Sequence, residues 1–115
     1  VNKIDIIGVD GGKPDHQMAN YFALLEHELP VTLHLNDAIV IAVSKSSPLH
    51  HKSNPEVSFS LFNIGQAVKV TIKGAKWELN NHDISPSTMG LHNITTEEEL
   101  SIHCENGSLL AFIDR

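Results

Sequence analysis

A chain of 115 residues in which 41% are apolar can close one hydrophobic core and is too short for two. Its formal charge of −6, with 8 scattered Lys and Arg against 14 acidic residues, excludes the basic patch that nucleic acid or an anionic membrane requires. A lone cysteine, Cys104, excludes an internal disulfide, and the absence of both a signal-like start and a bilayer-length apolar run predicts a cytoplasmic protein without membrane insertion.

Ile4, Ile6 and Val9 form a short strand-like run that ends in the turn signal Asp10-Gly11-Gly12, without the spacing of a dinucleotide-binding fingerprint. Asp15, just after Pro14, caps a predicted helix whose apolar stripe is Met18, Tyr21, Phe22, Leu25 and Leu29, and Pro30 ends it. From Val31 to Val43 apolar residues alternate, with a turn at Asn36-Asp37, and Ala38 to Val43 reads as a buried strand. Pro48-Leu49-His50-His51-Lys52-Ser53 follows that strand. Asn54 can cap a helix starting at Pro55, with Val57, Leu61 and Ile64 on one face. Val57, Phe59 and Leu61 also alternate with Ser58 and Ser60, so periodicity alone leaves helix and strand equally open.

Val68, Val70 and Ile72 alternate with Lys69, Thr71 and Lys73, which predicts a strand with one wet face. Gly74 turns it, and Lys76-Trp77-Glu78-Leu79 reads as the return strand. Asp83 is suited to cap a short helix ending at Gly90. Glu98 to Cys104 reads as a strand with Leu100 and Ile102 inward and Cys104 buried and inert. After the Asn106-Gly107 turn, Leu109 to Ile113 is a short apolar tail compatible with one or two helical turns. The eight histidines make no zinc motif with Cys104, so no metal and no cofactor is expected, and Asn93-Ile94-Thr95 fits a glycosylation sequon without a secretory signal to give it meaning.

The ordering and spacing of residues 38 to 113 resembles HPr, the histidine phosphocarrier of the bacterial sugar phosphotransferase system. Leu49-His50 follows the Ile39-Ile41-Val43 strand at that family's distance. The hairpin turns at Gly74, and Met89-Gly90-Leu91 and Glu105-Asn106-Gly107 look like the family's second helix end and last turn. The resemblance tips residues 55–64 toward helix. It implies an α+β fold: an open-faced sandwich with a four-stranded antiparallel sheet and helices on one face. The chain is then a single domain, 1–115, with an N-terminal strand–helix extension (1–37) and an HPr-like core (38–115). Phe59 and Phe62 fall off the predicted core face, covered by the N-terminal helix or forming a docking patch.

The resemblance places the phosphoacceptor at His50, with His51 as second choice, and phosphate-stabilising groups at Lys52, Ser53 and Asn54. A helix start would add unpaired N–H donors and a positive dipole end. Lys52 stands where the family's motif has arginine, and Ser53 where it has proline. The implied partners are an enzyme I-like phosphoryl donor and sugar-specific acceptor proteins, and the implied role is that of a phosphoryl carrier, not a turnover enzyme. Two other readings stand beside it: a non-catalytic regulatory or interaction module that keeps the fold, and an all-β binding domain in which Val57 to Phe62 is a strand.

Overall fold

Residues 4–7, 12–26, 31–52, 54–63, 69–84 and 92–115 are described by a computed structural model of the chain. Two elements open it, strand β1 (Ile4–Ile6) and helix α1 (Pro14–Glu26). Proline is tolerated in a first helical turn, where its missing N–H has no partner to lose, and Asp15 lies in that turn. Strand β2 (Val31–His34) then pairs parallel to β1, with Ile4 opposite Val31. Neighbouring parallel strands need a crossover, and α1 supplies it. Strand β3 (Ala38–Ser44) returns antiparallel to β2 through the Asn36-Asp37 turn, which the Leu35 N–H closes on the Ala38 carbonyl at 2.8 Å. Strands β1 and β2 belong to the same sheet as β3, and α1 packs on its face.

The remaining strands are β4 (Leu49–Lys52), β5 (Ser58–Asn63), β6 (Val70–Lys73), β7 (Leu79–His82), β8 (Asn93–Ile94), β9 (Glu99–His103) and β10 (Ser108–Asp114). They sort into a six-stranded sheet, ordered β1-β2-β3-β10-β5-β8, and a four-stranded sheet, ordered β4-β9-β6-β7. The two sheets pack face to face. Val43, Phe59, Leu61, Leu109, Ala111 and Ile113 of the larger sheet meet Leu49, Val70, Ile72, Leu100 and Ile102 of the smaller one in the main core. On the other face of the larger sheet, Leu24 of α1 joins Val31, Leu33, Val40 and Leu110 in a second core. The fold is a β-sandwich with a helix laid on its outer face.

Among the described residues this corrects the expected α+β HPr-like open-faced sandwich in three places. The predicted helix from Pro55 does not form. Glu56 has φ +65°, outside the α region, and breaks the chain into a turn where the helix would begin. The strand alternative holds instead: in β5, Phe59, Leu61 and Asn63 turn inward while Ser58 and Ser60 do not. Leu109 to Ile113 is a central strand, not a helical tail. Both its neighbours are strands, and both its faces are covered, so consecutive side chains are buried and the alternation disappears. Asn80 to His82 belongs to β7, and the helix end expected at Gly90 lies outside the described residues.

The helix stripe is also rotated from its expected setting. Leu24 is buried, with Tyr21 and Leu25 beside it, while Met18 and Phe22 are 50% and 43% exposed. Tyr21 packs edge-on against Phe112 at 5.2 Å between ring centroids, and Phe112 against Phe62 at 5.5 Å. Phe62 therefore reaches the helix side of the sheet, and Phe59 lies between the sheets. Among the described residues no helix is long and apolar enough to cross a membrane.

Candidate functional site

Of the residues singled out for phosphate, His50, His51 and Lys52 lie on β4, which among the described residues is an edge strand paired with β9. His50 stands opposite Ser101 and Lys52 opposite Glu99. His50 is exposed, its Nδ1 3.2 Å from Ser101 Oγ and 3.8 Å from Glu99 Oε1. His51 points the other way and is half-buried, and loss of hydration lowers its pKa below the ordinary 6.5. Lys52 and Asn54 line an open cleft of about 650 Å³ together with Glu98 and Glu99. Ser53 lies outside the described residues. The structure thus brings His50 and Lys52 onto one sheet face. The expected helix start, with its N–H groups and dipole, is absent there because a turn and β5 follow. No group of three or more His, Cys, Asp or Glu is placed to hold a metal among the described residues.

A different kind of site lies across the four-stranded sheet. A recess of about 90 Å³ is lined mainly by apolar groups: Leu61, Ile72, Leu79 and Ile84, with His82, Asn93 and the indole of Trp77. Trp77 is 55% exposed, an unusual position for the largest apolar side chain. The Lys76 ammonium sits 4.7 Å from its ring centroid. Asn63 donates its side-chain amide to the Ile84 carbonyl and so ties that wall to β5. The recess is smaller than the ~150 Å³ that encloses a benzene.

The backbone around the recess is held in costly conformations. Asn81 has φ +55° and His92 φ +61°, and each directly precedes a lining residue, His82 and Asn93. Lys69, before β6, has φ +53°. Non-glycine residues in this region cost of order 1 kcal/mol or more and persist where surroundings fix them. Each has its N–H anchored on a side-chain oxygen: Asn81 donates to Thr71 Oγ1 (3.1 Å), His92 to Ser60 Oγ (3.3 Å) and Lys69 to Asp83 Oδ1 (2.9 Å). In the sequence Trp77 reads as part of a return strand and Asn93 as part of a sequon. The available signal was the chain's only tryptophan, flanked by charges just beyond a turn glycine.

Residues 47–109 match the family model described as thiamin pyrophosphokinase, vitamin B1 binding domain, which covers more than half of the chain. Among solved structures, thiamine pyrophosphokinase from Bacillus subtilis superposes with a TM-score of 0.87 at 19% identity, covering 99% of this chain and 56% of that one. The enzyme from Geobacillus thermodenitrificans gives 0.86 at 18%, covering 100% and 55%. The enzyme from Candida albicans gives 0.78 at 12%, covering 97% and 44%. The chain spans about half the length of these proteins. No curated protein matches it significantly.

These findings overturn the HPr resemblance. The sugar phosphotransferase role falls with it, as do the enzyme I-like donor, the sugar-specific acceptors and the HPr-like regulatory alternative. The physical reason is the sandwich itself: the spacing shared with HPr joined segments that pair as strands, and no helical layer forms over residues 38–113 among those described. The chain belongs to the family of the thiamin pyrophosphokinase vitamin B1 binding domain.

Proposed function

We propose that this chain binds thiamin and that the recess beside Trp77 receives one of its rings. Thiamin carries a flat aminopyrimidine and a cationic thiazolium. The indole face not taken by the Lys76 ammonium offers both a stacking surface and a cation–π partner, and an apolar slot next to it excludes water from one ring edge. The acidic surface, net −6, favours a cationic ligand over an anionic one. The observation that carries this reading is the position of the exposed Trp77 and its recess inside the residues that match the vitamin B1 family. Because the chain spans about half the length of the named pyrophosphokinases, vitamin binding is the share of their activity proposed for it.

In this reading His50, His51, Lys52 and Asn54 form a separate polar edge. Strands β4 and β7 are opposite edges of the described four-stranded sheet, three strand spacings or about 14 Å apart. Trp77 is the only tryptophan, so fluorescence excited selectively in the indole, without exciting Tyr21, reports on the proposed site. Titration with thiamin is expected to quench it saturably. By calorimetry, Trp77→Ala weakens binding about tenfold or more, the size of one lost stacking partner. His50→Ala and Lys52→Ala change it less than about twofold. Absence of saturable binding, or a Trp77→Ala protein that binds as well as the parent, refutes the assignment.

A further inference from the structure

We infer that Asn93 is a positioning residue that fixes the Trp77 indole over the recess, an inference that rests on the reading of Trp77 as the ligand's platform. Trp77 lies between β6 and β7, outside any strand ladder, so its backbone groups have no sheet partner. Asn93 provides one. Its Oδ1 accepts the Trp77 N–H at 3.2 Å, and its Nδ2 donates to the Trp77 carbonyl at 2.9 Å. One side-chain amide thus replaces a strand neighbour, satisfying donor and acceptor of a single residue. A carboxamide suits this because it carries its acceptor and its donor on two separate atoms, whereas an ionised carboxylate offers acceptors alone.

Asn93 is itself tightly held. It is 7% exposed, its backbone pairs with Phe59 at the edge of the six-stranded sheet, and its Oδ1 also accepts the Ile94 N–H at 2.9 Å. The preceding His92, left-handed and anchored on Ser60, sets the direction from which the strand enters. The Lys76 N–H donates to the Ile94 carbonyl at 2.9 Å. Residues 76 and 77 are therefore fastened to residues 93 and 94 by three hydrogen bonds, and two of the three come from the Asn93 amide. The arrangement ties a segment of the smaller sheet to the edge of the larger one at the recess wall. With its backbone pinned on both sides, Trp77 loses the hinge motion an irregular connection would allow. The point and direction from which the indole leaves the backbone are then fixed, which lowers the ordering cost of binding.

The test uses the unliganded chain first. In the parent protein, hydrogen exchange at the Trp77 amide is expected to be slow, although Trp77 belongs to no strand, and time-resolved anisotropy to show little fast depolarisation. Asn93→Ala and Asn93→Asp both increase the fast component, while far-UV circular dichroism stays that of the parent. Both also weaken thiamin about tenfold by calorimetry. In a Trp77→Ala background, Asn93→Ala changes thiamin affinity less than about twofold, because the group it positions is gone. A Trp77 amide that exchanges at the unprotected rate overturns the proposal, even where neither variant folds. Unchanged anisotropy in a folded variant, or losses that multiply in the double variant, overturns it as well. A parent that binds no thiamin removes the binding reading, while exchange and anisotropy still decide whether Asn93 holds the indole.

Discussion

Replacing Gly74 by alanine isolates one contact between the turn that leads to Trp77 and the neighbouring strand. Gly74 has φ +87°, and a Cβ built on it overlaps the carbonyl oxygen of Glu99, with Leu100 Cα 3.5 Å away. Its N–H also donates to Glu78 Oε2 at 2.7 Å and its carbonyl accepts the Thr96 N–H at 2.9 Å, so the turn cannot easily swing aside. Two penalties combine. A left-handed alanine costs about 1–2 kcal/mol. Pushing β9 away from its place against the fully buried Leu100 costs a further ~1–3 kcal/mol.

Gly12 provides the control. It has a similar φ of +82°, but nothing lies within 4 Å of its added Cβ, so Gly12→Ala carries the conformational penalty alone. Net of the stiffer unfolded chain, about 1 kcal/mol is expected for Gly12→Ala and about 2–4 kcal/mol for Gly74→Ala. For a chain of this length 1 kcal/mol corresponds to roughly 4 °C, so thermal melts should fall by about 4 °C and about 8–16 °C respectively. Urea titrations at fixed temperature give the same comparison in free energy. Equal losses for the two variants would refute the argument, since they would show that the Glu99 carbonyl exerts no steric demand.

Thr95 supports a second turn: its fully buried hydroxyl accepts the Val57 N–H at 2.9 Å and donates to the Asn54 carbonyl at 3.1 Å. Thr95→Val removes the acceptor of the Val57 N–H and one donor to the Asn54 carbonyl, and should lower unfolding stability by about 1–3 kcal/mol in urea, with Thr95→Ser retaining most of it. A valine variant as stable as the parent would show that water replaces the hydroxyl. His51 predicts a pH effect. Burial lowers its pKa in the folded chain, so the unfolded chain takes up the proton first as pH falls. Its contribution is constant above about pH 6.5, declines as pH drops below that value, and levels off below the folded pKa. Melts at pH 7.5 and pH 5 should show a smaller acid loss for His51→Gln than for the parent, and an equal loss would refute the assignment to His51.

Segments with one wet face were legible from the sequence. Val70 and Ile72, then Leu100 and Ile102, turn inward as their alternation indicates, although Thr71 on the expected wet face is buried and the return strand after Gly74 starts only at Leu79. Legibility failed where alternation carried no information. Strand β10 is buried on both faces, so Leu109 to Ile113 reads as a featureless apolar run. Strand β4 has one buried apolar residue followed by His-His-Lys on an open edge, and reads as a loop. The left-handed Glu56 that stops the expected helix is not announced by a glycine. The HPr resemblance drew its helices from such segments, which is why a matching order of elements led to the wrong architecture. The Trp77–Asn93 pair joins residues distant in sequence through a side chain and a backbone, a contact no local pattern encodes.

The central place of β10 bears on how the chain is made. Residues 108–114 pair with 38–44 on one side and with 59–63 on the other. During synthesis β3 and β5 therefore each emerge with one hydrogen-bonding edge waiting for a partner translated later. Such long-range pairing slows folding and leaves sticky intermediates. The late arrival of β10 makes the interval before it pairs the aggregation-exposed one, and yield in heterologous production is expected to respond to translation rate and temperature.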